Sequence, residues 1–184
     1  MIDVVEYLER YKTLIESDNA IQKLSIVGEK LEKHKKNGGR LVIFGNGASA
    51  SIASHAALDF TKQGRLEALC FHDPALLTAY SNDYGYDNAF KQILISYGYP
   101  SDIAIFISTS GESQNIINAC QEAHAMGLET ISFSGRNPDN RLRALSRSSF
   151  WVDSHAYNIV ENTHSVWITT LIDYLVGKAE YEVS

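Results

Sequence analysis

The sequence predicts an α/β fold, a three-layer sandwich in which a five-stranded parallel sheet lies between helices. Five short apolar runs recur along the chain, segments of helical periodicity fill the intervals between them, and two of the run-to-helix junctions are Gly/Ser/Thr turns.

Residues 3–36 read as helix, because Val4, Val5, Leu8, Tyr11 and Ile15 recur at three- and four-residue spacing, with a break near Ser17-Asp18-Asn19. Gly38-Gly39 ends that helix, and LVIF (41–44) reads as the first strand. GNGASAS (45–51) then leads into a second helix. EALCF (67–71) is the next strand, residues 74–97 are helical, and IAIFIS (103–108) is the third strand, followed by a loop and a helix to about residue 126. ETISF (129–133) and SFWV (149–152) complete the strands, and 156–177 is the final helix. Within it, VWITTLIDYLV (166–176) is apolar on nearly every side, so a partner subunit is expected to bury it; a central helix within one domain is the alternative.

Composition narrows the function. A chain of 184 residues, 45% hydrophobic and 21% charged, is expected to form one domain over 1–184. A net charge of −6 and a single short basic run, EKHKK (32–36), argue against direct nucleic-acid binding. MIDVVEYLERYK is not a secretion signal, and no run of about 18 apolar residues is present to cross a bilayer. Cys70 and Cys120 each lie in an apolar run, as free thiols do, and the reading places the protein in the cytoplasm.

The chemistry gathers at two strand ends. LVIFGNGASASIASHAALDF and IAIFISTSGESQNIINACQEA share one grammar: an apolar strand, a Gly/Ser/Thr turn, an amphipathic helix. In the second, Ser108, Thr109, Ser110 and Ser113 surround Gly111, where unpaired helix N–H groups suit a phosphate monoester. One such turn alone is usually a helix cap. Two, both at the carboxyl ends of parallel strands, indicate a ligand site. GNG lacks the dinucleotide spacing and a P-loop lysine; its glycines instead let the backbone approach a ligand that Asn46 and Ser49 contact.

GNGASA, SNDYGY (81–86), STSGES (108–113) and ENTH (161–164) together resemble a SIS (sugar isomerase) domain, and phosphoheptose isomerases within that family. The resemblance covers nearly the whole chain. It implies a flavodoxin-like sheet, a homotetramer that uses the helices of 1–37, a core over 38–184, active sites built between subunits, and a sugar phosphate feeding nucleotide-heptose or surface-polysaccharide synthesis. The family's phosphate loop falls on Ser108, Thr109, Ser110 and Ser113, its first-loop contacts on Asn46 and Ser49, and its Asn-Asp-aromatic-Gly aspartate on Asp83. Asn158, heading the last helix, completes the expected substrate-binding set.

The family's His and basic Glu, four residues apart, fall on His55 and Asp59; its last-helix Gln and catalytic His fall on Glu161 and Thr169. In zinc-bearing members these four positions hold the metal. Aldose–ketose interconversion needs a base and an acid, and Thr169 is neither at neutral pH. The expectation is therefore that Asp59 and Glu161 divide those roles, or that His55, Asp59 and Glu161 hold a divalent metal such as zinc. A reading of another class is a non-catalytic phosphosugar-binding or scaffolding module resembling the replication initiator-associating protein.

Overall fold

In the computed structural model, which describes residues 1–181, the helices α1 (Val4–Ile15) and α2 (Ala20–Lys36) meet at a single 3-10 turn, Ser17–Asn19. Asp3 caps α1 by accepting from the Val5 and Glu6 N–H groups. Asp18 and Asn19 both adopt positive φ, 54° and 56°, which breaks the helix at the Ser-Asp-Asn signal.

The chain then alternates strands β1 (Leu41–Gly45), β2 (Ala68–Cys70), β3 (Ile103–Ser108), β4 (Glu129–Gly135) and β5 (Ser148–Val152) with helices α3 (Ala48–Lys62), α4 (Pro74–Tyr84), α5 (Tyr86–Tyr97), α6 (Gln114–Ala125), α7 (Arg141–Leu145) and α8 (Tyr157–Val176). The sheet is parallel throughout, in the order β2-β1-β3-β4-β5. Side-chain alternation divides the core. Leu41, Ile43, Ile103, Ile105 and Ile107 face one layer with Phe60, Trp167 and Leu171, whereas Val42, Phe44, Ala104 and Phe106 face the other with Phe90, Ile93 and Ile117. Both faces are covered, which is why β1 and β3 are apolar runs; β4 departs from this, with Thr130, Ser132 and Ser134 buried at alternate positions.

The expectation that a partner subunit buries α8 is corrected by its packing. Ile159, Val160, Trp167, Ile168, Leu171 and Ile172 are buried within the chain, with α1, α2 and α3 packed around the helix. Gly28 lets α2 approach closely, since a Cβ there would stand 2.7 Å from the Tyr174 ring. Apolar surface is exposed instead on α1 and just before it, at Ile2, Val4, Val5 and Leu8. His34, His72 and His124 are half-buried, each bonded through Nε2 to a backbone carbonyl, of Arg40, Gly45 and Leu145 respectively.

Candidate active site

The sheet order reverses between β1 and β3, and a cavity of about 280 Å³ opens where those strands end. Asn46, Gly47, Ala48 and Ser49 form one wall, Ser108, Thr109, Ser110 and Ser113 another, and Tyr157 and Glu161 of α8 close it. The turn after β1 is tight: a Cβ on Gly45 would stand 2.5 Å from Ser49 O, and Gly47 sits at φ 55°, ψ −124°, a conformation open to glycine alone. His72 supports this turn by donating from Nε2 to Gly45 O at 3.1 Å, and burial holds its pKa below the ordinary value.

The hydroxyls of the second turn are oriented. Ser108 Oγ accepts from the Gly111 N–H at 3.2 Å and donates to Ser113 Oγ at 3.3 Å, so the Ser113 proton is free for another acceptor. Ser110 Oγ accepts from the Glu112 N–H at 3.1 Å, which likewise leaves its proton free. Ser113 stands at the N-cap of α6 yet makes no side-chain capping bond. That observation favours a ligand over a plain helix cap. Thr109 differs: its hydroxyl donates to Glu161 Oε1 at 3.4 Å. The cavity therefore has a donor end at Ser110, Ser113 and the α6 N-terminus, and an acceptor end at Glu161.

The remaining expected residues lie elsewhere. His55 Nε2 and Asp59 Oδ2 stand 3.0 Å apart in a crevice of about 10 Å³ between α3 and α8 that Ser165, Ile168 and Thr169 line from the other side. Gln63 Nε2 donates to Asp59 Oδ1 at 3.2 Å. Thr169 is eight residues, about 12 Å of helix, past Glu161, so Asp59 and Glu161 do not share a cavity within one chain. Among the described residues no three His, Cys, Asp or Glu side chains converge as metal ligands. His55, Asp59 and Glu161 thus do not fit a resident metal within one chain. Asp83 is exposed on α4, its Oδ1 accepting from Asn82, and Asn158 is exposed at the start of α8; neither lines the cavity, and Tyr157 stands where Asn158 was expected. His164 is fully buried behind Glu161, donates through Nε2 to Ser134 O at 3.0 Å, and is pushed down to a pKa of about 4 by burial. It packs against Phe133 and Trp167 as a neutral core residue.

A family model described as the SIS domain matches residues 6–135. The chain belongs to that family. Among curated relatives of this SIS domain, the phosphoheptose isomerase of Aquifex aeolicus (strain VF5) is 36% identical over 135 residues, 70% of each chain. That of Helicobacter pylori (strain P12) is 33% identical over 177 residues, covering 93% of this chain and 91% of the relative. The solved phosphoheptose isomerase of Neisseria gonorrhoeae superposes with a TM-score of 0.85 at 26% identity, covering 94% of this chain and 96% of that one. The five-stranded parallel fold read from the sequence is the fold of those enzymes.

Proposed function

We propose that this SIS domain is a sugar-phosphate isomerase that interconverts the aldose and ketose forms of sedoheptulose 7-phosphate or a closely related phosphosugar. The observation that carries the proposal is the polarised cavity: free hydroxyl protons and a helix N-terminus at one end suit a phosphate dianion, and the Glu161 carboxylate at the other suits a proton shuttle. The relatives' names and the match over most of the chain support it.

Proton transfer beside a carbonyl needs one group to take the proton and one to protonate the oxygen. Glu161 supplies the first within the cavity. Asp59 reaches the same sugar only from a second copy of the chain, which accords with an oligomer, a tetramer by resemblance, that covers the apolar residues of α1. Zinc-bearing relatives are implied by the resemblance, and within one chain His55, Asp59 and Glu161 do not converge on such an ion; the proposed chemistry is placed on the carboxylates. We place the enzyme in the cytoplasm, in keeping with two cysteines present as thiols, Cys120 pushed up to about 11 by burial.

A second reading, phosphosugar binding without turnover, is favoured by Thr169, whose hydroxyl is spent on the Ser165 and Val166 carbonyls of its own helix at 2.9 and 3.1 Å. Incubation of purified, metal-replete protein with sedoheptulose 7-phosphate in D2O, with NMR following solvent exchange at C1 of the ketose and formation of an aldose deuterated at C2, separates the two. Turnover that Glu161→Gln and Asp59→Asn each lower by at least about 100-fold, with binding retained, supports the isomerase. Binding with no exchange on any heptose or hexose phosphate removes it.

A further inference from the structure

An asparagine in a binding wall offers a ligand either its C=O or its N–H, and the atoms behind Asn46 decide between them. The Ile116 backbone N–H donates to Asn115 Oδ1 at 3.0 Å. A backbone amide cannot reverse its polarity, so this bond, which the same N–H shares with Ser113 O at 3.1 Å, favours oxygen at that end of the Asn115 side chain. Asn115 Nδ2 then donates to Asn46 Oδ1 at 3.0 Å, while Asn46 Nδ2 donates to Asn115 Oδ1 at 2.9 Å, a reciprocal amide pair. The Tyr86 hydroxyl donates to the same Asn46 Oδ1 at 2.7 Å. Both lone pairs of Asn46 Oδ1 are thereby occupied and one Nδ2 proton is engaged, which leaves the second Nδ2 proton. Turning the Asn46 amide over would oppose oxygen to oxygen and NH2 to NH2. Asn115 is 2% exposed, so water does not relieve that conflict.

We propose that Asn115 and Tyr86 are positioning residues that lock the Asn46 amide as a hydrogen-bond donor toward the cavity, so that this wall recognises an acceptor oxygen of the ligand, the phosphate oxyanion foremost. The proposal rests on the reading of the cavity as a phosphosugar site. It extends the donor end from the β3 loop to the β1 loop, so that two strand ends grip one anion. Neither Asn115 nor Tyr86 lines the cavity.

Calorimetry with sedoheptulose 7-phosphate and with inorganic phosphate tests it through double-mutant cycles. Tyr86→Phe, which loses one neutral hydrogen bond from a half-exposed ring, is expected to weaken both ligands about 3- to 10-fold, and Asn115→Val by at least about 10-fold. In an Asn46→Ala background neither substitution changes affinity by more than about twofold, because both act through Asn46. In turnover the change falls on KM and not on kcat. Equal losses in the two backgrounds, or no loss in either single variant, overturn the proposal. Should Asn115→Val fail to fold, Tyr86→Phe decides alone. Should the wild type bind neither ligand, the cavity reading fails, and the lock is then judged on 15N-labelled protein: one slowly exchanging Asn46 Nδ2 proton supports it, and two protons exchanging at the rate of a free amide refute it.

Discussion

Replacing Gly111 by alanine puts a methyl group where the phosphate loop turns through φ +67°, a left-handed conformation that costs an L residue about 1–2 kcal/mol. The new Cβ would also overlap the Asn140 amide, lying 2.8 Å from Asn140 Cβ. Asn140 has no room to withdraw. It is 1% exposed, its Nδ2 donates to Ser134 Oγ at 3.1 Å and Asn137 O at 2.8 Å, and its Oδ1 accepts from the Arg143 N–H at 2.9 Å to cap α7. Displacing it breaks one or two buried hydrogen bonds, a further cost of about 1–3 kcal/mol. Gly111→Ala is therefore expected to destabilise the protein by about 2–5 kcal/mol in urea denaturation, as a lowered midpoint at constant slope. Gly127→Ala is the control, since Gly127 has φ +83° but nothing within 4 Å of where the added methyl would sit, and it should cost the backbone term alone, about 1–2 kcal/mol. Because the Gly111 N–H also holds Ser108 O and Oγ, phosphate affinity should fall with stability in the first variant and not in the second. A loss no greater than that of Gly127→Ala, with phosphate affinity unchanged, would refute the reasoning.

Stability should fall on acidification because of His164. Its folded pKa, about 4, lies below the unfolded value, so the unfolded chain binds the extra proton first; the contribution is whole above pH 6.5 and is lost as pH falls toward 4. By pH 5 the loss is about 2 kcal/mol, and the difference between urea midpoints at pH 7.5 and pH 5 should shrink in His164→Leu; an unchanged difference would count against this account. Arg40→Ala strands Asp102, whose side chain is 1% exposed and is bonded by Arg40 Nε at 3.2 Å and Nη2 at 2.7 Å. A cost of about 3–5 kcal/mol is expected at neutral pH, and one below about 1 kcal/mol would show that the pair is not isolated from water.

Much of the fold is legible in the residues alone, for physical reasons that differ by element. β3 can be placed because a strand buried on both faces is apolar through its length, as Ile103 to Ile107 are, and Ser108 ends it where the loop begins. α7, five residues long, escapes such reading; RLRAL is too short to show a period and is held by the Asn140 cap instead. α8 shows its apolar character but not what covers it, since that depends on how α1 and α2 return across it. The loop hydroxyls are legible from residue type and position. Asn115 is not, because a polar residue in the first turn of a helix ordinarily reads as solvated. The available signal is that it heads the buried row Asn115, Ala119, Ala123 at four-residue spacing. Tyr86 and Tyr157 are exposed aromatics whose partners lie 40 residues or more away for Tyr86, and on other elements for Tyr157, which no local pattern encodes. Asp59 and Glu161 are joined by resemblance, and the helical rise between Glu161 and Thr169 separates them within one chain.

Calorimetric titration of sedoheptulose 7-phosphate, with unphosphorylated sedoheptulose run beside it, addresses the phosphate cradle most directly. Saturable one-site uptake of the ester below millimolar concentration is expected, with no heat from the free sugar and a loss of at least about 10-fold in Ser110→Ala/Ser113→Ala. No uptake of the ester at millimolar concentration, or equal affinity for both sugars, would contradict it.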